Sequence, residues 1–527
     1  MIQTHNTRLS RRRLIRNASV TSIAYGTGIT GAAATAMSRR PKASELIGTQ
    51  ANPVEWTAMQ MASAIKNKRI SCAELMAAHT AQADRLNPTF NALVSRAHSD
   101  DLMLQARNKD KELAKGNNQG WLHGIPVAVK DLANAKGFVT SNGSPIFKTN
   151  VATTDTTHVA RMKQAGCIVT AKTNVPEFGL GSQSYNEVFG TTLNAYDGKS
   201  TAGGSSGGAA TALALNMVSV ADGSDFMGSL RNPAAFSNVI GFRPTPGLVP
   251  LSSSFIEELP CNGPMAGNVS DTAMLLSTIA GYDKHSPSSL TMDPQQFSNS
   301  LQRNFKGSRI GWLGDFNGYL AMEEGVLPLC EKALDGFTAI GCEVEQATVD
   351  YSMQELWQTW LVFRHWLNRG KFGELYSNEK LRAQLKPEAV WEAQGAEKLT
   401  ARDVYQASQA RSRWYAALLA AFKQYDFLVL PTAQVFPFDA QIHWPKSIAG
   451  RAMDTYHRWM EVVTPGTLSG CPVINVPAGF SQSGLPMGLQ VMGPRYKDFA
   501  TLQVAFAYEQ ATRWNLDVMP PVVRQNA

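Results

Sequence analysis

Two serine-bearing turns and one lysine hold the groups in this chain best suited to nucleophilic chemistry. The first turn reads Gly203-Gly204-Ser205-Ser206-Gly207-Gly208. The second runs through residues 223–229 to Ser229 and leads into Arg231-Asn232-Pro233. Glycine permits backbone angles closed to other residues and lets a second group approach the main chain. Two such turns can present hydroxyls and free N–H groups to one ligand. Taken singly, each reads equally well as an ordinary surface turn. Paired across one apolar helix and one short strand, they form a more specific pattern. The lysine is Lys130, in Gly124-Ile125-Pro126-Val127-Ala128-Val129-Lys130-Asp131. A lysine buried among apolar residues must find a partner or lose its proton. On spacing alone Lys130 reads as a surface lysine at a strand terminus.

The elements that must position these groups are legible from pattern. Residues 209–215 are alanine-rich and suit a tightly packed helix. Residues 218–222 read as a strand, and Pro233 fits the first turn of a new helix. Residues 127–129 read as a short buried strand. A helix over 157–165 ends at Gly166, a good C′ glycine, and a strand over 167–172 follows. Strand, helix, strand in that order implies parallel pairing.

Upstream, residues 57–86 carry two helical patterns broken near Lys68. A Ser71–Glu74 capping box starts the second, and Asn87-Pro88 is expected to end it. Residues 99–114 read as a solvated helix. Downstream, Ser270-Asp271 is expected to cap a helix over 272–280. A strand is expected over 309–313, a helix over 325–340 and a strand over 342–349. Residues 351–423 are mostly helical. There Trp357, Trp360, Leu361 and Arg364 form an i, i+3, i+4, i+7 stripe that suits core packing, the alternative being the lining of an apolar cleft. A strand over 426–432 and a helix over 500–512 complete the pattern.

The chain has 527 residues and a formal charge of +7. Arg8, Arg11, Arg12, Arg13 and Arg16 fall in residues 1–36, which contain no acid. The remainder is near neutral, which argues against a nucleic-acid surface. The leader runs Ser10-Arg11-Arg12-Arg13-Leu14-Ile15-Arg16 into a weakly apolar stretch, with a small-x-small site at Ala34-Thr35-Ala36. It resembles a twin-arginine export signal, so the mature protein is expected in the periplasm or otherwise exported. Residues 37–55 read as a linker. The leader's apolar run holds too many Thr, Ser and Gly for a stable membrane span.

Cysteines at 72, 167, 261, 330, 342 and 471 form no C-x-x-C pair. A chain folded before export should carry mostly buried free thiols; Cys330 with Cys342 is the one pairing left open. Nine dispersed histidines and no clustered ligand set imply no metal and no cofactor.

Residues 199–243 closely resemble the amidase signature family. In that family a GGSSGG-type loop supplies a serine held by a cis peptide, and a D-x-G-G-S-[IL]-R turn supplies the nucleophile. The matching positions are Ser205 and, 24 residues on, Ser229. Met227 stands where the family usually has the first glycine of its pair, which bears on the oxyanion turn and the acyl pocket. The family's catalytic lysine lies in a G-I-P-x-x-[VI]-K-D segment, which here falls on Lys130. The resemblance covers roughly residues 56–514, least in the helical middle.

It implies a single large α/β domain over about 56–520, a mixed β-sheet covered by helices on both faces, with a variable helical segment near 351–423. It also implies hydrolysis of a small-molecule amide through an acyl-serine. Ser229 attacks, and Ser205 relays its proton to neutral Lys130. The N–H groups of Phe226, Met227, Gly228 and Ser229 hold the oxyanion. Ser206 and Asp225 orient the loops, and Arg231 fixes the turn. A homodimer is left open.

Three other readings compete. Gly203-x-Ser205-x-Gly207 matches an α/β-hydrolase esterase elbow, but residues 194–202 before it are polar and not a strand. Ser63–Lys66 and Ser377–Lys380 match S-x-x-K without the companion motifs of penicillin-binding enzymes. The third is an amidotransferase-type subunit, or a non-hydrolytic binding protein on the same scaffold.

Overall fold

A computed structural model of the protein describes residues 52–251 and 254–524. The arginine-rich leader lies outside the described residues, as does most of the linker, of which Pro53–Glu55 forms a single 3-10 turn. Among the described residues one large sheet has eleven strands. They are β1 (Leu93–Val94), β2 (Pro126–Lys130), β3 (Ile168–Thr173), β4 (Val220–Asp225), β5 (Ile240–Arg243), β6 (Cys261–Ala266), β7 (Arg309–Trp312), β8 (Glu343–Gln346), β9 (Phe427–Pro431), β10 (Val473–Phe480) and β11 (Pro486–Met492). Their order across the sheet is β1-β3-β2-β4-β6-β5-β10-β11-β9-β7-β8.

The sheet is mixed. β2 runs parallel to both β3 and β4, and β7 runs parallel to β8 and β9. Between these parallel ends, β4, β6, β5, β10, β11 and β9 pair antiparallel in succession. Every residue of β2, β6, β9 and β11 is buried. Strands buried along their whole length belong to a sheet covered on both faces. The expected α/β domain, a large mixed sheet flanked by helices, is what the chain forms.

Local chemistry moves several boundaries. The second helix, Cys72–Phe90, does begin at the Ser71–Glu74 capping box but runs past Pro88. It stops where Asn91 turns left-handed and the Asn87 carboxamide oxygen accepts from the N–H groups of Ala92 and Leu93. The helix Val269–Ile279 is capped by Asn268, not Ser270-Asp271. The Asp271 carboxylate is engaged elsewhere, accepting from Ala58 and Met59 at the start of the helix Ala58–Lys66. The expected single helix over 325–340 is two, Val326–Ala333 and Asp335–Ala339. β4 extends three residues beyond its expected end, so Ser224 and Asp225 belong to the strand.

The middle segment is helical as expected. The long helix Met353–Ser377 packs on Pro387–Gly395 and Ala401–Ala421. Trp357 and Trp360 are fully buried in the main core, whereas Leu361 only borders it. All six cysteines are buried and free, Cys330 and Cys342 included. Among the described residues no helix is long and apolar enough to cross a membrane.

Candidate active site

Parallel strands put their carboxyl ends on one side of a sheet, where ligands commonly bind. Ala128 of β2 pairs with Ala221 of β4, so Lys130 and Ser224 finish side by side. The Asp222 carboxylate locks this arrangement. It accepts from the N–H of Lys130 at 2.8 Å and pairs with His158 Nε2 at 3.0 Å. Burial alone would raise the Asp222 pKa, but His158 and that N–H outweigh it and hold the carboxyl below its usual value.

The glycine-serine loop crosses above the ends of these strands. Its Gly204–Ser205 peptide is cis. Ser182 pins it by donating to Gly204 O at 2.7 Å, and Ser184 by donating to Gly203 O at 3.0 Å. The helix Gly207–Ala214 follows directly. A Cβ on Gly208 would collide with the backbone of Asn174 and Ala92, so only glycine lets the helix settle this close.

Lys130 is 1% exposed. Its Nζ lies 2.8 Å from Ser205 Oγ, 2.7 Å from Ser206 Oγ and 3.0 Å from Ser224 Oγ, and donates to Ser224 O at 3.2 Å. Burial pushes its pKa from 10.5 down to about 7. The Asp222 and Asp225 carboxylates oppose that shift, and the Lys371 ammonium adds to it. Asp131, next in sequence, is turned towards Ser141 and Lys172. Lys130 therefore meets only hydroxyls and one carbonyl at its amine.

The second turn is built by Asp225. Its carboxylate accepts from Gly228 N at 2.8 Å and Leu230 N at 3.2 Å, and forms a two-point pair with Arg231 at 2.9 and 3.0 Å. Arg243 donates to the Asp225 carbonyl at 2.6 Å. Burial alone would raise the Asp225 pKa; the two guanidiniums overcome it and hold the carboxyl well below its usual range. Arg231 is fixed in turn by Thr467, Gln490 and the Val463 carbonyl.

One expected donor is corrected by this geometry. The N–H of Gly228, at φ +79°, is committed to Asp225 and is not available to an oxyanion. Among the described residues none accepts from the N–H groups of Phe226, Met227 or Ser229, which leaves three candidates. The φ of Met227 is not positive, and its side chain is buried in the main apolar core.

Ser205, Ser229, Lys130 and Phe226 all line one cavity of about 580 Å³. The Ser205 and Ser229 hydroxyls do not hydrogen-bond to each other, although Ser206 N donates to Ser229 O at 3.3 Å and ties the two turns together. Ser206 sits on Lys130 itself, closer to the reacting groups than a loop-orienting role implies. Sequence reasoning missed Ser224, Asp222 and His158. The run Asp222-Gly-Ser-Asp225 holds the signal, but its glycine and serine suggest a turn where the chain forms strand.

A serine facing a cavity, a second serine on a buried lysine whose pKa is pushed down to about 7, and three free N–H groups beside them suit acyl transfer. The sequence matches the Amidase family over residues 74–502. It is 30% identical over 473 residues to the A subunit of glutamyl-tRNA(Gln) amidotransferase from Cyanothece sp., covering 85% of this chain and 96% of that one. It is 29% identical over 465 residues to an acylamidase of Rhodococcus erythropolis, covering 87% and 96%. The fold superposes on a bacterial aryl acylamidase of the amidase signature family with a TM-score of 0.81 and 26% identity, over 88% of this chain and 98% of that one. The chain belongs to the amidase signature family and is a hydrolase of carbon–nitrogen amide bonds.

Proposed function

We propose that Ser229 is the nucleophile of this amidase, with Ser205 and Lys130 as its proton relay. The observation that carries this reading is the contact between Lys130 Nζ and Ser205 Oγ in a buried site. Neutral Lys130 takes the Ser205 proton while Ser205 takes that of Ser229. The Ser229 oxygen adds to the amide carbonyl, and the N–H groups of Phe226, Met227 and Ser229 receive the oxyanion. As the carbon–nitrogen bond breaks, the proton returns through Ser205 to the leaving amine. Water then cleaves the acyl-serine by the same relay. Mass spectrometry of protein quenched during aryl-amide turnover should place an acyl adduct on the peptide carrying Ser229. An adduct on Ser205 instead would support the esterase-elbow alternative.

The glutamyl-tRNA(Gln) amidotransferase relatives favour a second reading, ammonia transfer to a partner. Isolated chain that hydrolyses aryl amides without any partner argues against it; activity that appears only with a co-purifying protein supports it. Export by the twin-arginine leader is part of the proposal and rests on Arg11-Arg12-Arg13. Changing Arg11 and Arg12 to lysine should hold the protein in the cytoplasm, and normal export of that variant would overturn it.

A further inference from the structure

One wall of the cavity is the helix Met353–Ser377, which contributes Arg364, Leu367, Asn368 and Lys371. Spacings of three and four place these residues on one helical face.

Arg364 is 2% exposed, and its guanidinium is held from several sides. Nε donates to Glu392 at 2.7 Å, Nη2 donates to the Tyr456 hydroxyl at 2.7 Å, and the guanidinium lies 4.9 Å from the centre of the Phe226 ring. The remaining nitrogen, Nη1, has no partner among the described residues. Unlike Arg243 Nε and Arg369 Nη1, which are buried without a partner, it is not sealed off by protein atoms. Arg364 lines the cavity and is otherwise enclosed, so the opening that Nη1 meets is the cavity. A charged N–H makes a stronger hydrogen bond than a neutral one, and a ligand oxygen in the cavity can supply the acceptor. The planar fork is already fixed at Nε and Nη2, so little freedom is lost when that oxygen arrives.

Charge decides which oxygen suits the site. Glu392 faces Arg364, and Glu257, an acid lining the same cavity, acts on the Lys371 ammonium. Each cation of this wall is thus matched by an acid, and a full negative charge gains little here. A neutral carbonyl oxygen fits Nη1 better than a carboxylate.

We infer that Arg364 is a specificity-determining residue whose Nη1 donates to a second, non-scissile carbonyl oxygen of the substrate. The substrate class is a neutral amide that carries another carbonyl group away from the bond to be cut. This inference rests on amide hydrolysis at Ser229. A substrate without that oxygen leaves the donor unpaired in the complex, and sites built around a polar contact discriminate strongly against analogues that lack it.

The test is a set of matched anilides. On the acyl side, pentanoyl anilide is compared with its 4-oxopentanoyl and 3-carboxypropanoyl counterparts. On the amine side, acetanilides bearing para-propyl, para-(2-oxopropyl) and para-carboxymethyl groups are compared; a methylene insulates each carbonyl from the ring. In the wild type, kcat/KM should favour the ketone over the alkyl member by about tenfold or more in one series, and over the carboxylate as well. Arg364→Lys keeps a charge opposite Glu392 but not the planar fork, and should bring the ketone-to-alkyl ratio close to one. A loosened Phe226 turn slows both members of a pair alike and cancels in this ratio, as does a fraction of unfolded protein. Arg364→Met combined with Glu392→Gln removes the ion pair as a unit, leaves neither charge buried alone, and should give the same ratio.

A wild type that cleaves alkyl and ketone members equally in both series, a wild type that prefers the carboxylates, or a ketone preference that survives in the variants would overturn the inference while amide hydrolysis stood. A wild type that cleaves none of the anilides and forms no Ser229 adduct would overturn the proposed mechanism, and this inference with it.

Discussion

Two walls of the cavity, the ends of β2 and β4 on one side and the helix Met353–Ser377 on the other, use buried charge in opposite ways. At the ends of β2 and β4, Lys130 is buried among hydroxyls and has no carboxylate within hydrogen-bond reach of its amine, so its proton is loosely held. In the helical wall, Arg364 is buried against Glu392 and Tyr456, and these partners outweigh burial and hold its proton more tightly than usual. Both cations are almost inaccessible. The difference lies in what meets them. A cation faced by hydroxyls becomes a base near neutral pH, whereas a cation faced by a carboxylate becomes a fixed strut. Burial alone therefore does not mark a catalytic group; burial without a countercharge does.

The strut on the catalytic side offers the largest perturbation. Asp225→Asn keeps the shape of the turn but leaves Arg231 and Arg243 buried without their shared carboxylate. Breaking a buried pair in this way typically costs about 3–5 kcal/mol. Denaturant unfolding should show a loss of that order, with activity falling as the turn loosens. Unchanged stability would mean that the turn is held by something other than Asp225.

Lys130→Met probes the base. It should lower kcat by at least roughly the hundredfold typical of losing a general base, with the fold intact. The sign of its effect on stability follows from linkage. The Lys130 pKa falls from 10.5 when unfolded to about 7 when folded. The unfolded state then binds more protons between these values, so wild-type stability should rise with pH across that window. Lys130→Met should lack this rise. Parallel stability–pH curves for the two proteins would contradict a depressed lysine.

Lys371→Gln is the mildest test and links the two walls. The Lys371 ammonium lowers the Lys130 pKa. Without it, the acidic limb of kcat should move to slightly higher pH. A shift to lower pH would show that Lys371 does not act on Lys130 through charge.

The same contrast explains what could be read in advance. Ser205, Ser229 and Lys130 were legible through the resemblance of their motifs to the amidase signature family; on spacing alone each turn read equally well as a surface turn, and Lys130 as a surface lysine at a strand terminus. The cavity brings all three together. The mixed sheet followed from the resemblance to the family, since strand, helix, strand in sequence implied only parallel pairing. Ser224 escaped because Gly223 made its surroundings look like a turn, although antiparallel pairing of β4 with β6 holds them as strand through Asp225. The commitment of Gly228 N–H to Asp225 depends on how a carboxylate folds back three residues along the chain, which spacing alone does not decide.

The most direct test of the central claim, that a neutral Lys130 accepts the proton as Ser229 attacks, is the pH dependence of the acylation rate. It is measured from the burst of released aniline in single turnovers of the wild-type protein. The rate should rise with pH along a single limb with a midpoint near 7 and level off above it, following the Lys130 amine as it loses its proton. An acylation rate that stays flat down to about pH 5, where this lysine carries its charge, would contradict the Ser229–Ser205–Lys130 mechanism.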